Sequence, residues 1–262
     1  MKKIVFFDID GTIYHYKHGV IEDTKNAIRE LRENGHLAVL CTGRTVAMIT
    51  PDILSVGFDG IIAGAGTYVR YEDKQIYRRD LDTETAREIV NVLKEYGYMP
   101  IPEGHDYMYF ETEDKIVPEY RHAYDIYMEL ISDRIRTIEE DNVIEVAKLS
   151  AAKTKNSNPK ELKRKVEDRF MIVEHDGGLI ELVPHNHSKA DGIKRLIDEL
   201  GIRREDTYAF GDSFNDLEML TYVEYGIAMG NSAKGLFDKV KYRTSDYDQG
   251  GVREGLKRFG LI

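Results

Sequence analysis

Two carboxylates stand two residues apart at Asp8 and Asp10, directly after the apolar run Ile4 to Phe7. Two more, Asp212 and Asp216, bracket Ser213, Phe214 and Asn215 after a second apolar run that starts at Thr207. A third run, Leu37 to Cys41, ends in Thr42-Gly43-Arg44, and Lys189 opens a helical segment that follows Ser188. Short apolar runs read as buried strands, and in an open parallel sheet ligands bind beyond the carboxyl ends of the strands. Those ends bring Asp8, Asp10, Asp212 and Asp216 together with a hydroxyl and an amide. Four carboxylates in one crevice repel each other and would hold protons unless a cation intervened. Mg²⁺ suits such a site, because it takes few carboxylates and completes its shell with water and substrate oxygens. The chain has no His or Cys cluster with zinc spacing. Lys189 lies in a first helical turn, where the helix dipole disfavours a cation, so it makes sense facing an anion. Thr42, Gly43 and the helix after them offer hydroxyl and backbone donors of the kind that hold phosphate. Carboxylates, a hard metal, a lysine and amide donors together describe phosphoryl transfer.

These residues need a scaffold, and the rhythm of the chain supplies one. Strand-like runs at Ile4 to Phe7, Leu37 to Cys41 and Gly60 to Ala63 alternate with helical patterns. One pattern carries Ala27, Ile28 and Leu31 and closes at Gly35; another spans Thr45 to Ser55 and is interrupted at Pro51. Wholly apolar strands alternating with helices predict an α/β fold with a parallel sheet covered on both faces. Beyond about residue 81 the texture changes. Thr83 to Tyr96 is an amphipathic helix, and the tyrosine-rich alternation after it suits half-exposed antiparallel strands. Pro118 to Leu130 and Pro159 to Arg169 read as helices, Val143 to Leu149 as a strand, and Phe170 to Val183 as a hairpin turning at Asp176-Gly177-Gly178. From Ser188 the first rhythm returns, with a helix ended by Gly201, strands at Thr207 to Phe210 and Gly226 to Met229, and a helix over Leu217 to Leu220. The predicted organisation is an α/β core domain over 1–81 and 185–262, split by an inserted α+β domain over 82–184.

The 262 residues carry 37 Lys and Arg against 47 Asp and Glu, a formal charge of −10. That balance argues against general affinity for nucleic acid or anionic membrane. A single cysteine, Cys41, allows no intramolecular disulfide and fits a reducing cytoplasm. The amino-terminal apolar run is too short for a signal-peptide core, and no segment is long enough to span a bilayer. The expectation is a cytoplasmic monomer or weak homo-oligomer whose partner is a small phosphorylated metabolite.

Taken in order, DIDGT at Asp8, CTGR around Thr42, Lys189 before its helix and GDSFND around Asp212 resemble the four motifs of the haloacid dehalogenase superfamily. The insert resembles the type-IIB cap of the superfamily's Cof-like sugar-phosphatase branch, and YGIAMGNS and DQGGV near the end are similar to that branch too. The resemblance implies a Rossmann-like core with a cap, and a Mg²⁺-dependent phosphatase working through an aspartyl-phosphate. It makes Asp8 the nucleophile, Asp10 the general acid and base, and Thr42 and Lys189 the holders of the phosphoryl group. Mg²⁺ would be held by Asp8, the backbone carbonyl of Asp10, and Asp212. Asn215 and Asp216 would support the loop by orienting the lysine or a metal-bound water, and Gly43, Arg44 and Asn215 would reach phosphate or substrate. The branch usually has Asn-Gly-Ala after the third strand, whereas this chain reads Gly64-Ala65-Gly66-Thr67, so the polar contact of the Asn is missing. Alternatives on the same scaffold are a phosphomutase and a phosphatase of a cofactor phosphate such as pyridoxal phosphate or flavin mononucleotide. A binding protein with a dead site is disfavoured, since no motif acid and no motif lysine is missing.

Simpler readings stand beside these. Asp-Gly is a common turn pair. Cys41 reads as a buried structural thiol, and His185 and His187 as hinge or surface residues rather than metal ligands. The tyrosines of the insert read mostly as packing, with Tyr107 and Tyr109, on one strand face, as candidates for substrate contact.

Overall fold

The carboxyl end of the first strand faces a break in sheet order, and that break organises the molecule. In the computed structural model, which describes residues 2–138 and 144–262, the chain divides into two units. The first comprises Met1–Gly43, Pro51–Arg78 and Ser188–Ile262; the second comprises Arg44–Thr50 and Arg79–His187.

The first unit begins with β1 (Ile4–Phe7), α1 (Glu22–Glu33), β2 (Leu37–Cys41), α2 (Pro51–Leu54), β3 (Gly60–Ala63), β4 (Tyr68–Tyr71) and β5 (Lys74–Arg78). The second unit contributes α3 (Thr83–Glu95), β6 (Tyr98–Glu103), β7 (Met108–Phe110), α4 (Pro118–Ile131), β8 (Ile135–Thr137), β9 (Lys148–Lys153), α5 (Pro159–Val166), β10 (Phe170–Glu174) and β11 (Leu179–Pro184). The chain then returns to the first unit with α6 (Lys189–Leu200), β12 (Thr207–Gly211), α7 (Leu217–Tyr222), β13 (Tyr225–Ala228), β14 (Tyr242–Arg243) and α8 (Gly251–Arg258).

Among the described residues the first sheet runs β14-β13-β12-β1-β2-β3-β4-β5. The pairings from β14 through β3 are parallel, and β4 and β5 add an antiparallel edge. The winding proceeds one way from β1 to β3 and the other way from β12 to β14, so the switch point lies between β1 and β12. Every residue of β1, β2 and β3 is buried, because helices cover both faces. On one face Ile4, Phe6, Val39 and Ile62 meet Ile193, Leu196 and Ile197 of α6 and Met219 and Leu220 of α7. On the other, α8 approaches so closely that a Cβ at Gly255 would stand 2.4 Å from the Phe210 ring. Arg253 ties α8 to α1 through Asp23 (2.5 Å) and Glu30 (2.9 Å). Each large apolar side chain so buried contributes about 1.5–3 kcal/mol relative to exposure.

Among the described residues the second unit holds a six-stranded sheet of order β10-β11-β9-β6-β7-β8, antiparallel apart from the β7–β8 pair. Ala86, Ile89 and Leu93 of α3 and Leu162 and Val166 of α5 cover one face, against Leu149, Ala151 and Leu182. The opposite face carries Met99, Ile101 and Ala152, packed with Tyr124 and Ile131 of α4 and with Ala47 and Met48. That packing explains why Arg44–Thr50 groups with the second unit although the sequence-based division at 82 and 184 leaves it in the core. Continuing along that face, Glu103 pairs with Lys148 and Ser150 with Glu181 in register. Lys148 is 1 % exposed and sits 3.0 Å from Glu103 and 2.9 Å from Glu181, forming a buried carboxylate–ammonium–carboxylate triad.

Several expectations change here. β6 and β7 are buried throughout rather than half-exposed, because both lie inside the sheet. The strand expected over Val143 to Leu149 is β9, displaced toward Lys153; its expected first residue lies outside the described residues. The helix expected over Thr45 to Ser55 is a 3₁₀ turn at Val46–Met48 followed by α2, consistent with Pro51 lacking an N–H. No helix among the described residues is long and apolar enough to cross a membrane.

Candidate active site

β1 delivers Asp8 to the switch point, and its backbone N–H donates to the Phe210 carbonyl (3.0 Å), extending the ladder by one residue. The chain then folds back on itself. Thr12, Ile13 and Tyr14 all donate their N–H groups to the Ile9 carbonyl, and Gly11 donates to the Tyr14 carbonyl (3.0 Å). Gly11 takes φ +75°, and a Cβ there would lie 2.3 Å from Oδ2 of Asp212. The loops after β1 and β12 therefore touch, and only glycine fits the contact.

After β12 the chain wraps around Asp216. Oδ2 of Asp216 accepts the N–H groups of Asp212 (3.0 Å) and Ser213 (3.1 Å), and Oδ1 accepts from the Lys189 ammonium. A Cβ on Gly211 would stand 2.7 Å from the Asp216 side chain, so this glycine too admits the close approach. Lys189 arrives from α6, whose N-cap Ser188 accepts from the Asp191 N–H (3.2 Å). It is 3 % exposed and donates to Oδ1 of Asp8 at 2.6 Å as well as to Asp216. Carboxylate oxygens of Asp8, Asp212 and Asp216 all lie within 4.8 Å of one another.

The charges in this space control each other. Burial, then repulsion by Asp216, Asp212 and Asp10, pushes the Asp8 carboxyl well above its ordinary value, with Lys189 pulling the other way. The same causes, burial first and then Asp216 and Asp10, push Asp212 up to about 7. Burial would lower Lys189, but Asp216 and Asp8 outweigh it and hold the ammonium above its usual range. One ammonium does not balance three clustered carboxylates. Oδ1 of Asp212 is buried without a hydrogen-bond partner, while Asp216 is committed to Lys189 and to its own loop. The oxygen donors that remain, Asp8 and Asp212, fit a hard divalent cation with few protein ligands.

The other residues singled out in the sequence take varied places. Asp10 is exposed at the tip of the first loop, bridged to Tyr14. Thr42 is buried beyond β2, donating its N–H to the Ile62 carbonyl (2.9 Å) and accepting from the Ala65 N–H (3.1 Å); Gly43 beside it is half-buried. Asn215 is exposed and accepts from the Ser213 hydroxyl (2.5 Å), so of the two supporting residues it is Asp216 that holds the lysine. Arg44 belongs to the second unit, where its Nη1 donates to the Met48 carbonyl (3.3 Å). Cys41 is buried, with its thiol pushed up by burial and directed at the Lys189 carbonyl. His185 and His187 engage the backbone carbonyls of Glu167 (2.9 Å) and His185 (3.0 Å). Tyr109 is a buried core residue of the second unit, and the half-buried Tyr107 packs on the same cluster under the Arg136 guanidinium (4.1 Å). The Glu103–Lys148–Glu181 triad gave no signal in the sequence, since its members are separated by 45 and 33 positions and only the sheet register joins them.

Comparison with known proteins gives a consistent result. The family model described as haloacid dehalogenase-like hydrolase matches residues 5–256. YkrA of Bacillus subtilis, to which phosphatase activity is ascribed, is 30% identical over 260 residues covering 99% of this chain and 98% of that protein. The 5-amino-6-(5-phospho-D-ribitylamino)uracil phosphatase YitU of the same organism is 25% identical, covering 98% and 97%. Among solved structures, a hypothetical protein from Geobacillus kaustophilus superposes with a TM-score of 0.84 at 28% identity over the whole of both chains. A sugar phosphatase of haloacid dehalogenase subclass IIB superposes at 0.83 with 23% identity, covering 99% of this chain and 100% of that one.

Proposed function

The chain belongs to the haloacid dehalogenase-like hydrolases, and on that premise we propose that it is a Mg²⁺-dependent phosphatase of small phosphorylated metabolites, sugar phosphates foremost. The observation that carries this reading is the Lys189 ammonium held between Asp8 and Asp216 with Asp212 alongside. An ammonium in that place works against the burial that would protonate Asp8 and offsets the charge of an incoming phosphate.

In this reading an oxygen of Asp8 attacks phosphorus in line, and the bond to the ester oxygen breaks. Asp10, exposed at the loop tip, gives its proton to the departing alkoxide. It then takes a proton from the water that attacks the aspartyl-phosphate, which releases inorganic phosphate and restores Asp8. Thr42, Gly43 and Lys189 hold the phosphoryl oxygens. Asp8, the Asp10 carbonyl and Asp212 would hold Mg²⁺, which supplies positive charge to the phosphoryl oxygens when bound. The second unit, as the cap of the family fold, would select the leaving group. Sugar phosphates are favoured by the fold shared with the subclass IIB sugar phosphatase.

The test is release of inorganic phosphate, first from p-nitrophenyl phosphate and then from a panel of hexose, pentose, nucleotide and cofactor phosphates. Asp8→Asn should remove turnover by several orders of magnitude while circular dichroism remains that of the parent. Turnover retained in that variant would eliminate Asp8 as nucleophile. An isomerised sugar phosphate without free phosphate would make the protein a mutase instead.

A further inference from the structure

The two acid-bearing loops touch at Gly11 and Asp212, and a separate segment spans them. After β13 the chain makes a tight turn over residues 229–233. The Met229 N–H donates to the Gly211 carbonyl (3.0 Å) and the Ala233 N–H to the Asp212 carbonyl (2.9 Å), so the turn grips the loop after β12 through its backbone. From the same turn the Asn231 side chain crosses to the loop after β1, where Nδ2 donates to the Gly11 carbonyl at 2.8 Å. Its own Oδ1 accepts the Tyr247 N–H at 2.9 Å, which fixes the orientation of the amide. The turn is itself anchored: Gly230 donates to the Ser245 carbonyl (3.0 Å), and a Cβ at Gly230 would stand 2.3 Å from Oδ1 of Asp246.

The peptide groups on either side of Gly11 are therefore both pinned. Gly11 N–H, bonded to Tyr14, sets the plane that carries the Asp10 carbonyl. The Gly11 carbonyl, bonded to Asn231, sets the next plane. A glycine at positive φ has little of its own to resist rotation, so these bonds, with the Thr12 N–H held by the Ile9 carbonyl (3.2 Å) on the second plane, orient the Asp10 carbonyl, while Asn231 ties that loop to the turn that grips Asp212. We propose that Asn231 is a positioning residue, which clamps the loop after β1 to the loop after β12 at the separation a divalent cation requires. It is not one of the residues that would hold the metal or the phosphoryl group; it acts through Gly11. Partners that orient metal-binding groups in this way are typically worth about 10–100-fold in metal affinity or activity.

This inference rests on the Mg²⁺ reading for its functional consequence, and Asn231→Asp separates the two. The aspartate is isosteric and keeps an oxygen for the Tyr247 N–H, but it replaces the donor facing the Gly11 carbonyl with an acceptor. Its added negative charge alone would tighten cation binding, whereas loss of the clamp weakens it, so the two effects have opposite sign. Titration calorimetry of MgCl₂ into the metal-free protein should show a Kd raised about 10-fold in Asn231→Asp and also in Asn231→Ala. The fall in kcat/KM at subsaturating Mg²⁺ should be recovered by added Mg²⁺. Hydrogen–deuterium exchange of peptides covering residues 10–14 in the metal-free protein should be faster in both variants. Mg²⁺ binding unchanged or tighter in both variants, or exchange unchanged, overturns the positioning role. A wild-type protein that binds no Mg²⁺ would defeat the proposed function instead, and the exchange measurement would still decide the clamp.

Discussion

Lys189 holds a positive charge where its own helix opposes it, buried in the first turn of α6. Such a charge persists only if its partners outweigh both the dipole and the loss of water, and here Asp8 and Asp216 do so. The two partners have different duties. In the proposed mechanism Asp8 exchanges the lysine for a share in substrate charge, whereas Asp216 is locked by the two backbone N–H groups on its other oxygen. Asp216→Asn should therefore release the lysine without removing a reacting group. We expect a loss on the order of 100-fold in kcat/KM for p-nitrophenyl phosphate and about 3 kcal/mol in urea unfolding, the scale for breaking a buried pair. Near-parental activity would show that Asp8 alone suffices to aim the ammonium. The residue types at Asp8, Asp10, Lys189 and Asp212 were legible in the sequence because strand ends and a helix start fix where they lie. The division of labour between Asn215 and Asp216 was not, because it depends on which side chain turns inward to meet the amides of its own loop.

Elements bring these residues close enough only where glycine allows it, and the turn after β3 is the sharpest case. Residues Gly64 to Thr67 pass under the N-terminus of α6, and a Cβ on Gly66, at φ +88°, would stand 2.2 Å from the Ser188 carbonyl oxygen. A Cβ on Gly192, one turn along α6, would meet Ile62 at 2.4 Å. Thus the N-terminus of α6 rests backbone to backbone on the turn after β3 at Gly66 and seats Gly192 directly on the Ile62 side chain, and this places Lys189. Ala65 in the same turn takes φ +53°, a left-handed conformation that asparagine tolerates better than alanine. The residue that departs from the family pattern therefore sits at a backbone position under strain. Gly66→Ala should displace the Ser188 N-cap and with it the lysine. The expected loss is at least about 10-fold in kcat, with about 2 kcal/mol or more in stability from the left-handed backbone alone and its clash; unchanged kcat in a folded variant would mean that Lys189 is placed independently of this turn. The elements misread from sequence fail for related reasons of context. β9 is built on Ser150-Ala151-Ala152, weak strand formers that become strand because β6 and β11 flank them. The β4–β5 edge hairpin carries only half-buried alternation, and the strong apolar runs before it overshadow that signal.

At the scale of the whole chain, two units with separate apolar cores carry two buried charge clusters, and acid should act on them differently. In the second unit burial alone would raise Glu181, but Lys148, followed by His175, outweighs it and holds the carboxyl at about 2. Glu103, more deeply buried and facing Glu181, is instead raised despite Lys148 and Ser150, and the Tyr120 phenol near both is raised by burial. The signs are opposite. Glu181, depressed in the folded state, stabilises the unit fully above its ordinary value of 4.5, and that contribution is lost as pH falls from there toward about 2. Glu103, elevated, favours the folded state while protonated, and its contribution is lost as pH rises through its folded value. Acidification to about pH 5 should therefore cost this unit little, with the decline beginning only below the ordinary carboxylate range. Glu181→Gln should lower stability near neutral pH by about 2–3 kcal/mol, because Lys148 loses one of its two carboxylates and His175 loses its acidic partner. The gap between variant and parent should then close steadily as urea midpoints are followed down from about pH 5 to pH 3. A gap that stays constant over that range would mean that the triad's charge is not what holds Glu181 low. Added Mg²⁺ should leave that gap untouched, since its proposed ligands lie in the first unit, while stabilising that unit by about 2.7 kcal/mol at a hundredfold excess over Kd.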